Sequence, residues 1–198
     1  DFQKMKAAKG DTRTYLSMDF AMEFCIERGK ARFVGYSLFF TEGQGAYRGN
    51  RLMSNERVAE VVSEWVPEEE LDEVERSLIE FMECNLAEFY EGYVGVDMFV
   101  YKAKGGFLLN PVVEINLRMT MGMVARVLYD KYVSPGSEGM FMVDHKTPGR
   151  LKVHHQWQEQ NEKMVVDADG KFVSGYMSLC PVSENSLYRA SIVLQQNK

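Results

Sequence analysis

Asp97, Glu114, Asn116 and Arg118 are the residues whose types and spacing could do chemistry together. If Gly105-Gly106 is a two-residue turn, Val94–Lys104 and Phe107–Arg118 form a β-hairpin rich in β-branched and aromatic residues. Counting outward, Lys104 faces Phe107, Tyr101 faces Asn110 and Asp97 faces Glu114. Side chains alternate with a period of two, so Glu114, Asn116 and Arg118 share one face, and Val113, Ile115 and Leu117 the other. Two carboxylates directly opposite each other repel unless a cation or a proton lies between them. Two carboxylates and an amide oxygen suit Mg²⁺, which keeps waters and takes further ligands from phosphates. Arg118 would bring positive charge to those phosphates. The same pattern also fits a solvated polar face over an apolar one. Pro111 cannot donate to the ladder and is where a bulge would shift the register by one.

The neighbouring elements follow from periodicity. Thr14–Ile26 alternates strictly, with Met18, Phe20, Met22 and Phe24 on one face and Asp19, Ala21, Glu23 and Cys25 on the other. Asp19 and Glu23 are expected to face solvent or to be ion-paired, with the lining of a nucleotide site as the alternative. Glu27–Lys30 turns the chain into a second strand, Ala31–Thr41. The stretch 42–50 holds three glycines and is either a surface loop or a lid over phosphates, to which Tyr47, Arg48 and Arg51 add stacking and charge. It matches neither a Walker A loop nor G-x-G-x-x-G. Asn55 is placed to cap a helix over Glu56–Trp65. Pro67 opens another, whose apolar stripe runs Leu71, Val74, Leu78, Phe81, Met82 and Phe89. A third helix is predicted over Met119–Tyr132, with Val124, Val127, Leu128 and Tyr132 inward and backbone donors at its start for an anion beside Arg118. Met119, Met121 and Met123 could wall a pocket there. After the break at 134–138, short strands are predicted at Met140–Val143, Leu151–His155, Met164–Val166, Phe172–Leu179 and Tyr188–Leu194. His145, His154 and His155 make a poor zinc site, because the last two point to opposite faces of a strand.

Glu114-Ile115-Asn116-Leu117-Arg118, with Thr120 and Gly122 after it, resembles the E-I-N-x-R signature of the ATP-grasp superfamily. Gly95-Val96-Asp97 resembles the strand that carries that family's first metal-binding carboxylate. The resemblance implies Mg²⁺ ligands at Asp97, Glu114 and Asn116, and a catalytic or phosphate-binding role for Arg118. It also implies ATP as cofactor and a ligase that activates a carboxylate as an acyl phosphate before joining it to an amine. More weakly, Asp19–Phe24 and Phe33–Thr41 resemble the strands before the signature, so the likeness spans residues 14–133. The lysines, glycine-rich loop and acidic hinge that bind adenine in this family would precede those strands, and residues 1–13 do not hold them. The expectation is therefore the C-terminal, Mg-ATP-binding half of the grasp, not active alone and completed by a missing N-terminal half or by a homo-oligomer. The alternatives are a non-catalytic binding module on a partial grasp scaffold, and a structural α+β domain with surface carboxylates.

Composition bounds the rest. With 198 residues, 45% of them hydrophobic, the chain reads as one α+β domain with helices packed on one face of an antiparallel sheet. Residues 14–133 would be the grasp-like core and 139–198 a β-rich C-terminal extension. A net charge of -6 without a basic cluster argues against nucleic acid as a partner. There is no long apolar run to suggest a membrane segment or a signal peptide. Cys25, Cys84 and Cys180 are widely spaced and read as reduced core thiols of a cytoplasmic protein. Lys4, Lys6 and Lys9 belong to a charged terminus, solvated or near phosphates.

Overall fold

The computed structural model describes residues 17–42, 46–147 and 149–196; Lys4, Lys6 and Lys9 lie outside them. In chain order the elements are β1 (Ser17–Glu27), β2 (Lys30–Glu42), β3 (Ala46–Leu52), α1 (Asn55–Ser63) and α2 (Glu68–Asn85). There follow β4 (Gly92–Ala103), β5 (Gly106–Asn116), α3 (Met121–Tyr132), β6 (Ser137–His145), α4 (Arg150–Asn161), β7 (Val165–Val166), β8 (Phe172–Ser178) and β9 (Tyr188–Gln196). The strands join in one sheet, ordered β5-β4-β1-β2-β3-β6-β9-β8-β7. Every neighbouring pair is antiparallel, so the protein is α+β.

The alternation in β1 divides the core. Phe20, Met22, Phe24 and Ile26 pack with Val94, Val96, Met98 and Val100 of β4, beneath Val58, Val61 and Val62 of α1 and Leu71, Leu78 and Met82 of α2. On the opposite face α3 lays Ala125, Tyr129 and the following Val133 over Leu52, Phe141, Ile192 and Leu194. The helices are thus divided: α1 and α2 share one face, while α3 starts against the other, beside Glu23 and Ser37. Burying these apolar side chains is worth roughly 1.5–3 kcal/mol each, which is why both faces are covered where the strands are apolar on both.

Several expected elements differ. Within the stretch 42–50, residues 43–45 lie outside the described residues, and Ala46 onward is strand, not loop: Ala46–Leu52 forms β3, hydrogen-bonded between β2 and β6. Ser54, not Asn55, caps α1 by accepting from Arg57 N at 3.1 Å; Asn55 instead accepts from Tyr36 N at 2.8 Å and ties the helix to β2. Helix α2 stops at Asn85, which leaves Phe89 82% exposed and outside the apolar stripe; Phe81 is exposed as well, and of the thiols expected in the core Cys84 is exposed while Cys25 and Cys180 are half-buried. On α3, Val124 and Leu128 pack against the core as expected, but the fully buried positions are Gly122, Met123, Ala125, Arg126 and Tyr129, and Tyr132 is exposed. Arg126 can turn inward because its Nη1 donates to Met53 O at 2.9 Å and its Nη2 to Asp130 at 2.6 Å.

Leu151–His155 is helical, not a strand, and lies in α4. That helix rests on β8 and β9 largely through polar contacts. His154 Nδ1 lies 3.0 Å from Arg189 Nη2, and His155 Nδ1 lies 2.8 Å from Tyr176 Oη. Arg189 also donates to Asp144 at 2.6 Å. Both histidines therefore turn toward the sheet, each with a partner that is not a metal ligand set.

Candidate metal centre

The hairpin of β4 and β5 brings Asp97 opposite Glu114, as the count from the turn predicts, but by two compensating slips. The chain turns at Lys104-Gly105, one residue early, so Ala103 faces Gly106, Lys102 faces Phe107 and Tyr101 faces Leu108. Gly105 takes φ 105°, which side-chain-bearing residues rarely adopt. The ladder then shifts between Asp97 and Phe99, because Phe99 faces Asn110 whereas Asp97 faces Glu114. Pro111-Val112-Val113 bulges opposite Met98, where the missing proline N–H costs no ladder bond. Both slips are of even length, so no side chain changes face.

On this face Asp97 is half-buried, Glu114 is exposed and Asn116 is buried. Asn116 Nδ2 donates to Asp97 Oδ2 at 3.3 Å, and Asn116 Oδ1 accepts from Arg118 Nη2 at 2.9 Å. Burial, then the Glu114 charge, hold the Asp97 carboxyl above its usual range. Asp19, on the same face of β1, is also raised by burial. A long amide hydrogen bond is weak compensation for like charges directly opposed. Among the described residues no group of three His, Cys, Asp or Glu is placed to hold a metal. The acidic donors here number two, and a third protein oxygen has to be that of Asn116. Two carboxylates, one amide oxygen and an exposed rim fit a hard cation that keeps water and phosphate ligands.

The three proposed ligands and Arg118 come together on the β4–β5 hairpin, while the two upstream arginines are carried by β3. Arg51 alternates with Asn50 along β3 and pairs with Met140, on the side of the sheet opposite Asn50 and Phe141. Arg48 sits where the β2–β3 register shifts, between Tyr47 opposite Thr41 and Gly49 opposite Phe40. Both arginines have partners of their own.

Glu23 departs from the expected solvent exposure or ion pair. It is 1% exposed, has no ion pair among the described residues, and accepts from two hydroxyls, Ser37 Oγ at 3.0 Å and Thr120 Oγ1 at 2.8 Å. Burial lifts its pKa to about 7 against the pull of these two donors, with Asp97 adding to the rise and Arg118 opposing it. The available signal was Gly95 and Gly122. A Cβ on Gly122 would overlap Glu23 Oε1 and Ser37 Oγ, and one on Gly95 would overlap Thr120 and crowd Glu23 Oε2. Of the methionines, Met123 is fully buried and Met119 half-exposed, so they do not wall a pocket together.

No family model matches the chain, and no curated protein matches it in sequence. Among solved structures it resembles a protein from Archaeoglobus fulgidus described as ATP-grasp superfamily, at 15% identity and TM-score 0.43, covering 89% of this chain and 45% of that one. It also resembles biotin carboxylase from Campylobacter jejuni, solved as a β,γ-ATP complex, at 9% identity and TM-score 0.49, covering 92% and 42%. The chain spans less than half the length of either. Among the described residues no helix is long and apolar enough to cross a membrane.

Proposed function

We propose that the open face of β4 and β5 binds the phosphates of ATP with Mg²⁺, as the metal-holding half of an ATP-grasp ligase. The observation that carries this is the placement of Asp97 opposite Glu114, with Asn116 linking Asp97 to Arg118. The resemblance of Glu114–Arg118 to E-I-N-x-R supports the same reading. Asp97, Glu114 and Asn116 would hold the ion, which when bound neutralises phosphate charge.

The chain's own residues do the positioning. The ladder fixes the backbone at Asp97 and Glu114, so taking up a cation costs only side-chain freedom there. Asn116 Oδ1 has two lone pairs, so it can accept from Arg118 and offer the other pair to a cation, which would keep the guanidinium beside the phosphate oxygens. One residue pair would thus set the metal and the phosphate-binding charge side by side. The reaction served would be activation of a carboxylate as an acyl phosphate and its transfer to an amine. Electrostatic stabilisation by Arg118 is its catalytic contribution.

Titration calorimetry of the chain with ATP in the presence of Mg²⁺ tests this. Wild type should bind, and Glu114→Ala should lose at least tenfold in affinity, about 1.4 kcal/mol, with its circular dichroism unchanged. Equal affinity in the two would remove the proposal.

A further inference from the structure

The buried Glu23 belongs to no part of the metal site, yet it is built in with care. It is fully enclosed where β1, β2, β4 and the first turn of α3 meet, and the backbone beside it is glycine at both positions where a Cβ would collide. One of its oxygens takes the Ser37 hydroxyl of β2, and the other the hydroxyl of Thr120. Thr120 is also the N-cap of α3, accepting from Met123 N at 2.9 Å. A single threonine hydroxyl therefore joins the helix start to a carboxylate on the sheet.

The position of Thr120 makes this matter for Arg118. Asn116, the last residue of β5, pairs with Gly95, and Arg118 N donates to Asn116 O at 2.9 Å in a tight turn. Thr120 lies two residues further on. Arg118 is thus carried on a short link with one end fixed by the β4–β5 ladder and the other by Glu23. We infer that Glu23 is a positioning residue that, through Thr120, fixes the link carrying Arg118 at the phosphate site. The inference rests on the proposed function for its consequence but not for its geometry, because the latch exists without ligand. The charged and titratable groups that face it are Asp97 from β4, Tyr47 from β3 and Arg118 itself.

The experiment compares Glu23→Gln with Glu23→Met, which fills the space but accepts no hydrogen bond. Hydrogen exchange of the ligand-free full chain is followed over residues 117–123, with residues 94–98 of β4 as the internal control. In Glu23→Met, exchange at 117–123 should accelerate roughly tenfold, about the weight of one charge-assisted hydrogen bond, while the control keeps its protection. Glu23→Gln should fall between Glu23→Met and wild type. Should Glu23→Met fail to fold, Thr120→Val and Thr120→Ser replace it: Val should accelerate the same segment and Ser, which keeps both bonds, should not. MgATP affinity is measured alongside. It should drop roughly tenfold in Glu23→Met, with little further loss when Arg118→Ala is added, because both act through one contact. Unchanged exchange at 117–123 in a folded Met or Val variant overturns the inference. Absence of MgATP binding in wild type removes the proposed function instead, and leaves the exchange result to judge the latch alone.

Discussion

Replacing Glu23 by Gln should change how stability depends on pH, and the sign follows from burial. The carboxyl titrates near 4.5 in the unfolded chain and near about 7 in the fold, because burial outweighs its two hydroxyl donors. Below the lower value both states are protonated and the group contributes no slope. Between the two values the unfolded chain has released its proton while the folded chain keeps it, so wild-type stability falls as pH rises. Above about 7 both states are ionised and the full cost of the buried charge is present. At about 1.4 kcal/mol per pH unit across this window, the cost approaches about 3 kcal/mol. Glu23→Gln has no such slope. Urea denaturation of both proteins from pH 4.5 to pH 8 should show the variant gaining on wild type by about that amount, with equal m-values. Curves that stay parallel across the whole range would refute the account of Glu23 as a desolvated carboxylate.

Two further outcomes follow from the same structure. Glu114→Gln removes the charge directly opposite Asp97, so without Mg²⁺ it should stabilise the fold by about 0.5 kcal/mol in urea melts, while weakening the response to the metal; a ligand site held at a cost to the fold behaves this way. Asp144→Ala strips the partner from Arg189, which is 1% exposed, and should destabilise by about 3 kcal/mol by leaving a buried guanidinium uncompensated. Its urea midpoint reads the loss directly.

The hairpin and the pairing of Asp97 with Glu114 were legible in the sequence because period-two alternation survives errors of even length. The turn lies one residue earlier than the glycines suggest, and the Pro111 bulge returns the slip, so Asp97 meets Glu114 as counted. The apolar stripe of β1 and the aliphatic part of the α2 stripe were also legible, since Phe20, Met22, Phe24 and Leu71, Leu78, Met82 are buried at the expected spacing. What was hidden is polar. Leu151–His155 lacks a helical apolar stripe because α4 meets the sheet through His154 and His155, and it leaves Val153 and Trp157 exposed. The face of α3 was legible in Val124 and Leu128 but not in Arg126, whose burial is made tolerable by Met53 O and Asp130, partners distant or unrecognised in the pattern. Glu23 reads as an ordinary outward acid until the fold brings Ser37 and Thr120 to it, the latter from 97 residues away in the chain. Short-range periodicity carries none of that information.

The central claim is that Asp97, Glu114 and Asn116 hold Mg²⁺ against nucleotide phosphates, and thermal melting with ATP in the presence and absence of Mg²⁺ tests it most directly. A ligand that binds only the folded state stabilises it by about 2.7 kcal/mol at a concentration of 100 times its dissociation constant. The account predicts a clear rise in melting temperature with ATP and Mg²⁺ together, much smaller with either alone, and lost in Asp97→Asn and Glu114→Gln. A rise of equal size in wild type and both variants, or none in wild type, would contradict it.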